Sequence, residues 1–294
     1  MSKEQEKGVI KVQEIDSYPD FEAVFGILKE LHGRGFPCPK PIEIHVDEEQ
    51  GIKELVVEYI PGQRIMTEKY GEFDSDIDPY AVVGFVDEFC WSQLPIMGMR
   101  LDSGLLERLG PPRDWWYFAS RFGDHVRVIG DHTFGDELEV LSRASRVCCE
   151  RLSVYRDSRM VLQHGDVYGY NIVKTDSGDL FFIDWDRITI STRWYDVSTF
   201  IAKSLVNIDA LVQLSVDLER RAQSESELVS FRLQLMYAVV KEYRNVLVAD
   251  IDPGDLVISK FMDVARRMII AMSNDILAGG NLSSASSYLE RLRT

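Results

Sequence analysis

Basic residues are in deficit in this chain: 33 Lys and Arg stand against 48 Asp and Glu over 294 residues, a formal net charge of -15. That deficit argues against nucleic acid as a partner, because a phosphate backbone requires a basic face. It is compatible with a neutral or cationic small-molecule partner. Cysteine is scarce as well. Cys38, Cys90 and the adjacent Cys148 and Cys149 show no Cys-x2-Cys spacing, so reduced structural thiols are expected rather than a metal or redox site. The histidines at 32, 45, 125 and 132 are scattered and form no metal-binding pattern. No run of 18 apolar residues occurs, which excludes an ordinary membrane-spanning helix, and Met1 to Lys7 is too polar for a signal peptide. A cytoplasmic protein with no membrane partner is expected. Two nucleotide fingerprints are missing: Gly33-x-Gly35 is followed by Cys38 where a third glycine would stand, and no Gly-x4-Gly-Lys-Ser/Thr is present. There is no internal repeat.

What is present suffices for a full core in one or two domains, since 45% of the residues are hydrophobic. Gly8 to Val12 alternates like a strand, and Phe21, Val24, Phe25, Leu28 and Leu31 recur on one helical face between Ser17–Asp20 and Gly33/Gly35. Leu55 to Ile60 reads as a strand ended by Pro61-Gly62. From Gln63 to Met160 the pattern is mostly helical, broken at Pro79, Pro95 and Pro111-Pro112. Within it, Trp115-Trp116-Tyr117 predicts either a helix burying two tryptophans or an aromatic wall for a quaternary ammonium. Ile258, Phe261, Met262, Ala265, Met268, Ile269 and Met272 define a further helix, ended by Gly279-Gly280, and the serine-rich 281–287 reads as a loose link to a last helical turn. The acidic runs Glu72, Asp74, Asp76, Asp78 and Asp131, Asp136, Glu137, Glu139 are either solvated loops or the wall of a site for an amine.

The most informative segment is His164-Gly165-Asp166, followed by Asn171 and then Asp184 within Phe-Phe-Ile-Asp-Trp-Asp (181–186). Ile172-Val173-Lys174 and Leu180 to Ile183 read as two short strands joined by an Asp176-Ser177-Gly178 turn, so a hairpin sets Asn171 and Asp184 side by side at its open end. A phosphoryl group in transfer carries dispersed negative charge, so the protein mainly positions it, neutralises its oxygens and orients the attacking hydroxyl. Asp166 offers a carboxylate to accept the hydroxyl proton. Asn171 and Asp184 offer hard oxygen ligands for magnesium, which keeps several waters and needs few protein groups.

These motifs resemble the signature of the aminoglycoside phosphotransferase and choline kinase family, His-Gly-Asp, four residues, Asn, then Ile-Asp-Trp-Asp/Glu. Trp194-Tyr195-Asp196-Val197 resembles its downstream Asp-Leu-Ala element. The resemblance implies an α+β, protein-kinase-like two-lobe fold, with a nucleotide-binding lobe at 1–62 and a helical lobe at 63–294. It implies ATP or GTP and Mg2+ as cofactors, Asp166 as base, Asn171 and Asp184 as metal ligands, and His164 and Asp196 bracing them from behind. By the same resemblance Lys11 binds the nucleotide's phosphates, and a glutamate on the following helix pairs with it. Glu22 is the candidate, although counting back from Gly35-Phe36-Pro37-Cys38-Pro39 leads nearer to Val24. The carbonyl of Glu58 and amide of Ile60 take the place of the adenine-binding hinge. Glu242 and Asp263 are conceivable acceptor contacts. Only ten residues precede Lys11, fewer than the family's two strands and phosphate-covering loop need. Losing two backbone contacts to phosphate would weaken nucleotide binding about 100- to 10,000-fold. The expected activity is therefore transfer of a phosphoryl group to a small, amine-bearing alcohol, with a weak or inactive nucleotide-binding pseudokinase as the alternative.

Overall fold

The computed structural model of the chain describes residues 8–90, 104, 107–130, 135, 137–151, 160–249, 255–279 and 282–293. The expectations resting on Met1 to Lys7, the phosphate-covering loop among them, and on Pro95, Asp131, His132, Asp136, Gly280 and Asn281 fall outside these residues. The architecture is α+β. Strands β1 (Gly8–Glu14), β2 (Pro41–Asp47) and β3 (Ile52–Glu58) form an antiparallel sheet in the order β1-β3-β2. Helix α1 (Phe21–Gly33) lies against it and buries Phe21, Ala23, Val24, Ile27, Leu28 and Leu31, while Phe25 is only partly covered. Asp20 caps this helix by accepting the Glu22 N–H at 3.0 Å, satisfying one of the donors that a helix start leaves open.

Beyond residue 58 the chain crosses to a second, mostly helical body. Strand β4 (Gln63–Arg64) pairs with β6 (Ile172–Lys174), which pairs with β7 (Leu180–Phe182); β5 (Met160–Gln163) and β8 (Thr189–Thr192) make a separate ribbon. Reading 63–160 as mostly helical misses β4, because a two-residue strand shows no period. The helices are α2 (Pro79–Glu88), α3 (Trp115–Gly130), α4 (Glu137–Arg151), α5 (Tyr195–Lys203), α6 (Ile208–Arg221), α7 (Glu225–Val248), α8 (Leu256–Leu277) and α9 (Ala285–Arg291).

Two expectations fail here for packing reasons. Helix α3 buries Phe118, Phe122, Val126 and Ile129, not two tryptophans; Trp116 is 65% exposed. The serine-rich tail is no loose link. Ser284 caps α9 by accepting the Ser287 N–H at 3.1 Å, while Ser283 Oγ and the Tyr288 hydroxyl both donate to Asp275, at 2.6 and 2.7 Å. The apolar face of α8 is as the spacing predicts, with Met262 alone only partly buried. All four cysteines are free thiols, and burial pushes that of Cys38 up to about 12. Among the described residues no helix is long and apolar enough to cross a membrane.

Candidate active site

Strand β5 delivers the chain into His164-Gly165-Asp166, and a tight backbone contact fixes the turn. Gly165 has φ +88°, and a Cβ there would lie 1.8 Å from the Arg187 carbonyl oxygen, so no other residue fits without displacing the turn that follows Asp184. Behind the turn, the fully buried Asp196 on α5 accepts the N–H groups of His164 and Gly165 at 2.7 and 2.9 Å, and its own N–H donates to Gln163 Oε1 at 3.0 Å. Burial pushes the Asp196 carboxyl up to about 7 against the pull of those two amides. His164 joins the two halves of the motif: Nε2–H donates to the Ile183 carbonyl at 2.9 Å, and Nδ1 accepts the Asp166 N–H at 3.3 Å. Burial pushes its imidazole down to about 4, so it holds these contacts as the neutral ring.

The hairpin closes in the expected register. Ile172 pairs with Phe182, and the Ile183 N–H donates to the Asn171 carbonyl at 2.9 Å, which brings residue 171 to the start of the Asp184 bend. Asp184 itself has φ +69°, a left-handed conformation costly for a side-chain-bearing residue and typical of sites where geometry outranks local comfort. Buried Asn171 donates from Nδ2 to the Asp166 carbonyl at 3.0 Å and toward Oδ2 at 3.5 Å. Its amide oxygen accepts no hydrogen bond among the described residues. With the Asp184 carboxylate, that oxygen is a donor set suited to magnesium, which favours hard oxygens. Among the described residues no group of three His, Cys, Asp or Glu side chains is placed to hold a metal ion.

Asp166 is held by a cation the sequence reading did not identify. Lys203 Nζ lies 2.5 Å from its Oδ1 and 3.9 Å from the centre of the Tyr168 ring, and Arg187 Nε approaches Oδ2 at 4.0 Å. Burial alone would raise the Asp166 carboxyl; Lys203, Arg187 and His164 outweigh it and hold it below the usual carboxylate range.

Two clefts meet at Asp184. The first, about 320 Å3, is bordered by Val9, Val57, Val173 and Ile183, by the 58–60 segment and by Lys11. Glu58 and Ile60, expected at the hinge, lie there, and Gly62 next to them has a Cβ position only 2.3 Å from the Lys174 carbonyl oxygen. Lys11 contacts Asp184 directly and Asp186 at 3.2 Å. The second cleft, about 360 Å3, holds Asp166, Asp184, Asp186 and Glu242 among five cations, Lys69, Arg113, Arg187, Lys203 and Lys241. Asp263 does not border it; that side chain is 69% exposed and faces Arg267 at 3.8 Å.

One expected pairing is corrected by the structure. Glu22 contacts Lys53, at 3.3 Å, and Arg108, not Lys11. The reason is where α1 begins. Gln13 accepts the Phe21 N–H and donates to the Pro19 carbonyl, both at 2.9 Å, so the helix start is pinned beside the Gln13–Lys53 cross-strand pair, two residues along β1 from Lys11. Val24, the alternative position, is fully buried in the core.

Residues 3–225 match the model of the phosphotransferase enzyme family. Among solved structures, a choline/ethanolamine kinase family protein from Mesorhizobium loti aligns at TM-score 0.57 and 16% identity, covering 97% of this chain and 86% of that one. A spectinomycin phosphotransferase crystallised with ADP and spectinomycin aligns at TM-score 0.59 and 13% identity over 93% and 87% of the two chains. A microcompartment-associated aminopropanol kinase aligns at 0.57 and 14% over 96% and 89%.

Proposed function

Because this chain belongs to the phosphotransferase enzyme family and has its kinase-like two-lobe fold, we propose that it moves the γ-phosphoryl group of ATP or GTP to a hydroxyl of a small molecule. On this reading residues 1–62 are the nucleotide-side lobe and 63–294 the acceptor-side lobe. The observation that carries it is the position of Asp166: its carboxylate borders the cleft that meets the nucleotide cleft at Asp184, is braced by Asn171 and is charge-matched by Lys203.

The base of the nucleotide enters between Val9, Val57, Val173 and Ile183 and bonds to the Glu58 carbonyl and Ile60 amide, which places its phosphates toward Lys11. Asn171 and Asp184 would hold magnesium, which when bound neutralises phosphate oxygens. The acceptor hydroxyl lies against Asp166. As its oxygen bonds to the γ-phosphorus, the bond from that phosphorus to the bridging oxygen breaks, the hydroxyl proton passes to Asp166 and the nucleoside diphosphate leaves with the electron pair. Lys203 keeps Asp166 ionised and offers positive charge to the phosphoryl oxygens in transit. His164 and Asp196 touch neither substrate; they fix the backbone that carries Asp166.

Asp166→Asn removes the proton acceptor while preserving shape, and should reduce turnover about 100- to 10,000-fold with the fold intact. Nucleotide consumption by the purified variant across a panel of alcohols, alongside its thermal unfolding, is the measurement; undiminished transfer would refute the assignment. A nucleotide-dependent rise in unfolding temperature without turnover in the unmutated protein would identify a binding protein instead.

A further inference from the structure

Resting on the transferase reading, we infer that the acceptor is an anionic alcohol: a small hydroxyl compound that also carries a carboxylate or phosphate, gripped by Lys69, Arg113 and Lys241. The overall charge of -15 and the acidic runs raise the opposite expectation, of a neutral or cationic acceptor, but the described members of those runs do not line this cleft. Glu72 pairs with Lys260, Asp74 accepts from Gln63, Asp78 caps α2 and Glu137 pairs with Arg266. None of them borders the acceptor cleft.

Within the cleft the charges can be assigned partner by partner. Asp166 belongs to Lys203 and Arg187, and Asp184 and Asp186 belong to Lys11. That leaves Glu242 with three cations. It contacts Lys241 at 3.2 Å and is further occupied by the Tyr70 hydroxyl at 2.8 Å and Asn245 Nδ2 at 3.3 Å. Lys69 and Arg113 make no ion pair among the described residues. Arg113 donates to the Tyr195 hydroxyl at 2.5 Å and to the Gly165 carbonyl at 3.4 Å, and its guanidinium and the Lys241 ammonium lie 5.1 and 5.8 Å from the same Tyr195 ring centre. Burial, with the nearby Lys203, pushes the Lys69 ammonium below the ordinary lysine range against the opposite pull of Glu242 and Asp166.

These three cations are not spare phosphate contacts for the nucleotide. None of them borders the nucleotide cleft, whereas Lys11 and Lys203 already stand on the path of the phosphoryl group. They are also built in place. Tyr70, next to Lys69, is buried with φ +67° and anchored through its hydroxyl to Glu242, a strained backbone that the packing holds. Cations so placed at the edge of low-dielectric surroundings favour a ligand that brings negative charge, and an ammonium acceptor would meet them head-on. The aromatic faces that would cradle a quaternary ammonium are taken, since Arg113 lies over both Tyr117 and Tyr195.

The test compares matched alcohols with the full chain in saturating ATP and magnesium: glycerate and glycerol 3-phosphate as anions, glycerol as neutral, serinol as amine. The expected result is a kcat/KM at least about tenfold higher for an anion than for its neutral and amine counterparts. Which of the two anions leads distinguishes carboxylate from phosphate. Lys69→Met and Arg113→Met should each raise the KM for the anion about tenfold and leave the nucleotide-dependent thermal shift unchanged. Should no compound be turned over, calorimetric binding of the same four to the magnesium–ADP complex decides. Equal or stronger binding or turnover of glycerol or serinol, or indifference of the anion's KM or Kd to both substitutions, overturns the inference. The transferase reading fails separately, through undiminished transfer by Asp166→Asn or absence of any response to nucleotide.

Discussion

The two clefts that share Asp184 have opposite linings. The cleft proposed for the nucleotide has aliphatic walls from Val9, Val57, Val173 and Ile183, is bordered by the 58–60 segment, and carries Lys11 and Arg64 as its cations. On the acceptor side nearly every bordering group is charged or carries a hydroxyl. An apolar wall discriminates weakly, since a methylene is worth about 1–3 kcal/mol, whereas a site of fixed charges and hydrogen-bonding groups punishes a mismatched ligand far more heavily. Specificity should therefore reside on the acceptor side, and tolerance, including of ATP against GTP, on the other. Substitutions in the two clefts are expected to differ in kind as well as size.

The largest effect after loss of Asp166 itself belongs to Lys203, which stands at the junction. Lys203→Met should lower kcat about 100-fold or more, the scale of removing one preorganised charge from a transition state. It should also move the acid limb of the pH–rate profile. Burial pushes the Asp166 carboxyl up and Lys203 is first among the groups that pull it down, so without the lysine the carboxyl titrates at higher pH and activity disappears sooner on acidification. A lowered rate with an unmoved acid limb would mean that Lys203 acts on the phosphoryl group alone.

Lys11 and Lys53 sharpen the comparison further, being two lysines on neighbouring strands with opposite duties. Lys11 faces Asp184; Lys53 is buried against Asp20 at 2.9 Å and braces the start of α1. Lys53→Met should cost about 1–3 kcal/mol of stability, the usual cost of stripping a partner from a buried charged group, while leaving kcat nearly unchanged. The sign of its pH dependence follows from Asp20. Burial opposes ionisation, but Lys53, the Glu22 N–H and Arg108 together lower its carboxyl, so the pair's contribution is complete above the ordinary aspartate value and is lost as pH falls through the depressed one. Lys53 is shifted upward, so at the alkaline end the contribution persists until pH exceeds the ordinary lysine value and rises through the raised one. Denaturant titrations at pH 7 and pH 3 should show a clear difference between variant and parent at the first pH and a smaller one at the second.

The hairpin and the loop before it were legible because all their parts lie within 33 residues, from His164 to Asp196, and a hairpin's register follows from its turn. Asp186 and Lys203 were within reach of the same logic. One stands two residues beyond Asp184, in the turn that follows it; the other lies seven beyond Asp196, two helical turns on the same face. Arg113, Lys69 and Lys241 were not, because each is a lone basic residue that reaches the cleft only through tertiary packing. The Glu22 assignment failed on a similar point: the phase of α1 relative to β1 is set by the Gln13 side chain, which leaves no trace in hydrophobic periodicity. Net charge could not have indicated the lining of this cleft, since a sum over the whole surface carries no information on the sign of one concavity.

The smallest expected effect tests whether the two clefts are separable. Val9 borders the nucleotide cleft on β1 and is 39% exposed, so trimming it to alanine should disturb the core little. Removing two methyl groups from an apolar wall costs about 1 kcal/mol of contact with the base, which corresponds to a rise of about fivefold in the KM for nucleotide. Val9 lies two residues along β1 from Lys11, whose contact with Asp184 leads to the cleft that holds the cations around Tyr195. The acceptor KM should then stay within about twofold of its original value. A parallel rise in both constants for Val9→Ala, measured by initial rates with each substrate varied in turn, would show that β1 and the Asp184 bend move together, and that the apolar and the charged cleft act as one site.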